Sequence, residues 1–240
     1  MQQAYRALRV VSEEQTIHMV LSPNPTKLML TELATACSSL NAEGRGGVKA
    51  IVFDFSAETT LNVEDRAQLQ PEIERASAAV RAVAEPVLAV VRTTPSPAAS
   101  ILIQAADLTL VAHDALLLIP GQHGTEGGTL PGMQAARMGY VTWSVPAREV
   151  NAEMRRVLDM LRGKSAAALR NVKASIRLSA EAIAQPDPTT GAGLRDSASA
   201  RLEALKRVNT LYLTEVMQTA DAHEGLRAFL EKRDPEWKNQ

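Results

Sequence analysis

The sequence predicts an α/β fold in which parallel strands lie buried under helices, and three observations carry that expectation. Lys49 to Phe55 (KAIVFDF) and Val87 to Val91 (VLAVV) are short runs apolar on both faces, as strands covered from two sides are. Stretches with helical periodicity lie between and after them, and two further short β-rich runs follow at Leu108 to Ala112 and Leu116 to Ile119. This alternation of strand and helix implies parallel pairing through right-handed crossovers.

Ahead of the buried strands, Tyr5 to Val11 and Thr16 to Ser22 read as a hairpin closed by the four residues Ser12 to Gln15. Asn24-Pro25-Thr26 breaks the chain before a helix over Leu28 to Leu40, whose Leu30, Leu33, Ala34 and Cys37 form one apolar stripe. Gly44, Gly46 and Gly47 mark the loop before the first buried strand. After it, Asn62 is a candidate cap for a helical stretch from Val63 to Ala84, with Glu64 and Asp65 in its first turn and Pro71 expected to kink or break it. Pro86 ends that helix. The second strand leads into the turn Arg92 to Pro97 and the apolar helix Ala98 to Ala106.

From Met133 onward the pattern is mostly helical apart from Tyr140 to Val145. Helices are expected over Ala147 to Arg162, Ser165 to Ala184, Leu194 to Thr219 and Ala222 to Lys232, with the Pro- and Gly-rich segment Gln185 to Gly193 as a loop. We expect one domain with two parts, a core over residues 1–146 and a helical C-terminal region over 147–240.

Composition narrows the function classes. With 26 basic and 27 acidic residues the net charge is −1, which provides no broad field for nucleic acid or an anionic membrane. Eight aromatic residues (three Phe, three Tyr, two Trp) are too few for a base-stacking platform. Four scattered histidines argue against a metal cluster, and no metal is expected. Cys37 is the single cysteine, so no internal disulfide forms, which fits a reducing compartment. The first residues have no apolar leader core, no run approaches the ~20 apolar residues a membrane span needs, and a cytoplasmic protein is expected.

Three segments carry a family resemblance. Glu85 to Pro120 (EPVLAVVRTTPSPAASILIQAADLTLVAHDALLLIP), Leu130 to Pro146 (LPGMQAARMGYVTWSVP) and Asp221 to Lys238 (DAHEGLRAFLEKRDPEWK) resemble the crotonase superfamily, the enoyl-CoA hydratase/isomerase fold. With Lys49 to Phe55 the resemblance covers about two-thirds of the chain, and the last segment is the most specific. It implies a crotonase-like spiral of ββα units followed by a C-terminal helical trimerisation region. A homotrimer or hexamer, or a hetero-oligomer with a paralogue, is the implied assembly.

The implied chemistry is acyl-CoA binding, with no cofactor beyond the coenzyme A thioester itself. Family members polarise a thioester carbonyl with two backbone N–H groups, each worth about 3 kcal/mol to the developing enolate. One donor belongs to a glycine-rich turn that aligns here with Pro97, Ala98 and Ala99, so Ala98 takes the donor position. Ser96-Pro97 reads as an N-cap and a first-turn proline, and the Ser96 hydroxyl is expected to occupy the amides of Ala98 and Ala99 and close the hole. The other donor belongs to an [SA]-G-A-D motif after the first buried strand. Ser56-Ala57-Glu58-Thr59-Thr60 stands there instead.

The two family glutamates that hold and deprotonate water align with Ile101 and Gly121, so both carboxylates are absent. Part of the family pattern is also missing between Gly128 and Leu130. His123 and Glu126, in the loop GQHGTEGG, are candidates for a relocated acid or base, set against a solvated loop shaped by glycines. Asp107 is read as a structural residue that bonds backbone, His113-Asp114 as a tight turn rather than a dyad, and Arg92 as either a phosphate contact or a salt bridge. Phe229 and Lys232, three apart on the last helix, align with family residues that approach the CoA nucleotide, against a reading in which Phe229 packs and Lys232 is solvated.

These residues leave three functional readings: an acyl-CoA-binding protein with little or no hydratase activity, a non-catalytic partner of another thioester enzyme, and an isomerase, decarboxylase or thioesterase with a displaced acid.

Overall fold

The computed structural model describes residues 5–42, 47–56, 66–119, 127–184 and 197–239. Contacts divide the chain into two compact units, Met1–Gly163 and Lys164–Gln240.

The first unit opens with strands β1 (Arg9–Glu13) and β2 (Thr16–Val20), paired antiparallel with Glu13 opposite Thr16. The turn is therefore two residues long rather than the four expected. Glu14 and Gln15 both have positive φ, 42° and 65°, the backbone that matches the twist of two hydrogen-bonded strands. β1 also begins later than Tyr5, because the amides of Arg6 and Ala7 donate to the Glu32 carboxylate at 2.8–3.1 Å.

Helix α1 (Lys27–Ala42) buries Leu30, Leu33, Ala34 and Cys37, the stripe its spacing predicts. Strand β3 (Ala50–Phe55) follows. Helix α2 (Arg66–Ala82) continues through Pro71 without a break, and the cap assigned to Asn62 lies outside the described residues. Strand β4 (Val87–Val91), helix α3 (Pro97–Gln104), strand β5 (Leu108–Ala112) and strand β6 (Leu116–Ile119) come next. All five residues of β4 are fully buried, and burial of each large side chain is worth about 1.5–3 kcal/mol.

Strand β7 (Gly128–Pro131) pairs antiparallel with β6 as a separate two-stranded sheet. Helix α4 (Gly132–Arg137), strand β8 (Trp143–Val145), a 3₁₀ turn (Ala147–Glu149) and helix α5 (Val150–Arg162) complete the unit.

The main sheet has the order β1-β2-β3-β4-β5-β8, and every pair from β2 to β8 is parallel. α1 packs on α2 and α2 on α3, while α5 lies against β3 and β5. The carboxyl ends of the central strands lead into the segments that begin at Ser56 and Arg92, so any site built at that edge sits on rigid supports.

The second unit holds helices α6 (Ala166–Ala184), α7 (Ser197–Thr214) and α8 (Ala220–Glu231), with α6 packed along α7. α7 stops five residues short of the expected Thr219, and a 3₁₀ turn (Val216–Gln218) replaces its last turn. No helix among the described residues is long and apolar enough to cross a membrane.

Candidate functional site

The turn between β4 and α3 is anchored on three sides. The Arg92 guanidinium pairs with the Asp54 carboxylate and donates to Asn151 Oδ1 at 2.7 Å, so it forms a salt bridge, one of the two roles expected of it. Thr94 Oγ1 accepts from the Leu116 amide at 3.0 Å, and the Ser96 amide donates to Pro23 O at 2.9 Å.

Ser96 caps α3 with extended backbone (φ −66°, ψ 163°), and Pro97 takes the first helical position, where its missing N–H costs nothing. The Ser96 hydroxyl accepts from the Ala99 amide at 3.3 Å, and Ser96 O accepts from the Ser100 amide at 2.9 Å. Nothing among the described residues accepts from the Ala98 amide. This corrects the expectation that Ser96 occupies both amides. A capping hydroxyl aims at the third amide of the helix here, and one oxygen so directed does not also reach the second.

Ala98 itself is buried. Ile101 lies three residues further along α3, on the same side of the helix, and is half-buried. An apolar side chain thus stands one turn from the open amide, and it neither takes nor gives a proton. Gly121, His123 and Glu126 lie outside the described residues, as does the chain that follows Ser56.

At the other end of α3 a cleft of about 410 Å³ is lined by Gln104, Asp107, Thr109, Tyr140 and Thr142 among others. Its polar groups are largely engaged by the fold. Asp107 Oδ2 accepts from the Val87 amide at 2.8 Å, the structural role expected of it. Thr109 and Thr142 each accept the other's backbone amide, at 2.8 and 3.0 Å, and Gln104 donates to Leu118 O at 3.0 Å. His113 and Asp114 form a turn, with His113 Nδ1 2.8 Å from Ser144 Oγ.

On the β1–β2 side, His18 Nε2 lies 3.1 Å from Thr16 Oγ1, whose own proton goes to Glu13 O at 2.6 Å. The ring therefore donates from Nε2. Burial lowers its pKa, Glu13 and Asp54 oppose that shift, and Arg162 reinforces it.

In the second unit, Phe229 is 81% exposed. Lys232 is not on the face of α8, since it is the left-handed C-cap (φ 54°, ψ 43°) that ends the helix. Its orientation is set by the cap rather than by helical spacing. The groups that sequence reading missed here are Glu224 and Arg233, joined by two hydrogen bonds of 2.6 and 3.1 Å. No periodicity links them, because the tail carrying Arg233 turns back on the helix.

The structure resembles solved enoyl-CoA hydratases in fold. That from Mycobacterium smegmatis matches with a TM-score of 0.73 and 20% identity, covering 97% of this chain and 99% of that one. The chain has the crotonase fold. An enoyl-CoA hydratase/isomerase from Mycobacterium paratuberculosis shares that fold with a TM-score of 0.74 and 18% identity, covering 99% of this chain and 100% of that one. At the level of sequence, a cyclohexa-1,5-dienecarbonyl-CoA hydratase from Thauera aromatica is 49% identical over 45 residues, which is 19% of this chain and spans 17% of that hydratase's length. No family model matches the chain.

Proposed function

We propose that the chain is a divergent member of the enoyl-CoA hydratase/isomerase family that binds acyl-CoA thioesters and has little or no hydratase activity. The observation that carries this reading is the pairing of an Ala98 amide that has no acceptor among the described residues with an apolar Ile101 one turn away. A helix-start amide without an acceptor suits a thioester carbonyl oxygen. Hydration also needs a carboxylate to activate water, and Ile101 supplies none.

The solved structures that share the fold are named as CoA-thioester enzymes, which supports the ligand class. In this reading Phe229 and Lys232 meet the nucleotide end of coenzyme A, and the thioester itself is the only cofactor involved. The exposed apolar side chains of α8, Leu226, Phe229 and Leu230, favour assembly with further copies or with a paralogue, and so keep the non-catalytic partner reading in play.

Isothermal titration with a series of acyl-CoA thioesters tests the binding half, and absence of heat at millimolar ligand would overturn it. Loss of enoyl absorbance from crotonyl-CoA tests the other half, and turnover at ordinary hydratase rates would remove it. If a different acyl-CoA reaction is found, Glu126→Gln and His123→Ala decide whether a displaced acid drives it. A general acid or base is worth about 10²–10⁴ in rate, so a change within twofold excludes both.

A further inference from the structure

β1 is an outermost strand of the main sheet, and its free side has no partner strand among the described residues. The two-residue turn fixes which groups face that side. In a hairpin so closed Glu13 and Thr16 exchange backbone bonds, and the alternation then runs back along the register: Val11 and Arg9 bond to β2, while Ser12 and Val10 do not. The amides and carbonyls of Val10 and Ser12 therefore point outward, and nothing among the described residues bonds them.

Edge strands are commonly blunted by a proline, a lysine, a bulge or a covering segment. β1 reads RVVSE, keeps an unbroken register with β2 from Arg9 to Glu13, and leaves Arg9, Val11, Ser12 and Glu13 exposed. Arg9, Val11 and Glu13 alternate along it and so share one face. Val11, in the middle, is 41% exposed. Neither Arg9 nor Glu13 forms a salt bridge among the described residues.

We propose that β1 is a self-recognition edge, on which a second copy of this chain docks its own β1 antiparallel about a twofold axis at Val11. Val10 and Ser12 of each copy then exchange backbone bonds with Ser12 and Val10 of the other, Val11 meets Val11, and Arg9 faces Glu13 at both ends. Charge selects this register. Sliding one strand by two residues sets Val11 against a charge, and sliding it by four sets Arg9 against Arg9 or Glu13 against Glu13.

A ribbon of five residues a side buries much less than the about 1,600 Å² of a standard interface, so the pairing is weak and reversible. It uses neither the Ala98 turn nor the apolar side chains of α8. It therefore doubles whatever assembly the chain forms through other faces.

The experiment is sedimentation velocity of the full-length protein from about 10 μM to 1 mM, together with disulfide trapping. Wild type should show a twofold step in mass as concentration rises. Arg9→Glu and Glu13→Arg should each weaken that step by about tenfold, because each sets like charges opposite one another at both ends. The variant carrying both exchanges should regain it. Ser12→Pro should abolish the step and keep the hairpin, since β2 does not use the amide it removes. Should Ser12→Pro fail to fold by circular dichroism, the charge exchanges carry the same comparison. Val11→Cys should give a disulfide-linked dimer under mild oxidation, whereas Val10→Cys, which faces Ser12, should not. The native Cys37 is buried and does not compete.

Absence of the doubling in wild type overturns the proposal and leaves the edge to a strand of another protein or to solvent. A doubling that survives both Arg9→Glu and Ser12→Pro belongs to another face and overturns it as well. Failure of the double exchange to restore the step, or trapping of Val10→Cys as fast as Val11→Cys, overturns the register about Val11.

Discussion

The hydroxyl of Ser96 is bonded to the amide of Ala99, 3.3 Å away, and the amide of Ala98 at the start of α3 has no acceptor among the described residues. Two effects of Ser96 are thereby separable. Ser96→Ala should lower stability by about 1 kcal/mol through loss of the cap, read as a shift in denaturant midpoint. Ser96→Asp should keep the cap and the stability but weaken acyl-CoA binding, since it sets a carboxylate beside the thioester oxygen. Equal affinity of Ser96→Asp and wild type would mean that no carbonyl docks at this turn.

Gly132 lies where α4 begins against the end of β5, and a Cβ there would stand 2.2 Å from Ala112 O and 2.8 Å from Val111 Cγ1. Backbone cannot yield as a flexible side-chain tip does. Gly132→Ala should therefore destabilise the protein by about 1–3 kcal/mol. An unchanged urea midpoint would show that the two segments separate freely.

The β1–β2 turn places Glu14 and Gln15 in positive φ, where a Cβ is crowded. Gln15→Gly should raise stability by about 1 kcal/mol, because the backbone bond from the Lys49 amide to Gln15 O survives the change. A lower melting temperature would indicate that the Gln15 side chain contributes more than its strain removes.

Two groups with lowered pKa predict the same direction of pH dependence in different windows. His18 is harder to protonate folded than unfolded, chiefly through burial, so its contribution is complete above about pH 6.5 and is lost as pH falls below that value. Glu224 is held down to about 2 by Arg233 first and the Glu236 amide second, so its contribution is present above the ordinary carboxylate pKa of 4.5 and is lost as pH falls from there towards 2. Melting temperature measured from pH 7 to 5 should fall, and His18→Gln should flatten that slope without altering the decline below pH 4.5. A slope indifferent to His18→Gln would remove the histidine from the account.

Much of the scaffold was legible from local pattern. β4, β5 and β6 fall on the residues expected, since continuous apolar runs bounded by proline, arginine and aspartate leave few alternatives. The most family-specific motif, EGLRAFLEKR, marked the right helix, and its first and last residues serve the fold, since Glu224 grips Arg233. The Ser96 cap was readable because it is an interaction between near neighbours in sequence.

What the sequence determined by itself was therefore the order and type of the elements and the absence of carboxylates at Ile101 and along α3, because composition and short-range periodicity are properties of the chain alone. Which donors remain open, and where charges are spent, was decided only by the tertiary structure. Ser96 satisfies Ala99 and not Ala98 because of the direction in which its hydroxyl points. Arg92 is held by Asp54 and Asn151, which stand 38 and 59 residues away along the chain. Lys232 leaves the helix because the tail folds back through Arg233 onto Glu224. Hydrogen bonds are short-ranged and directional, so their pairing across the chain follows from the packing of whole elements rather than from any spacing within one of them.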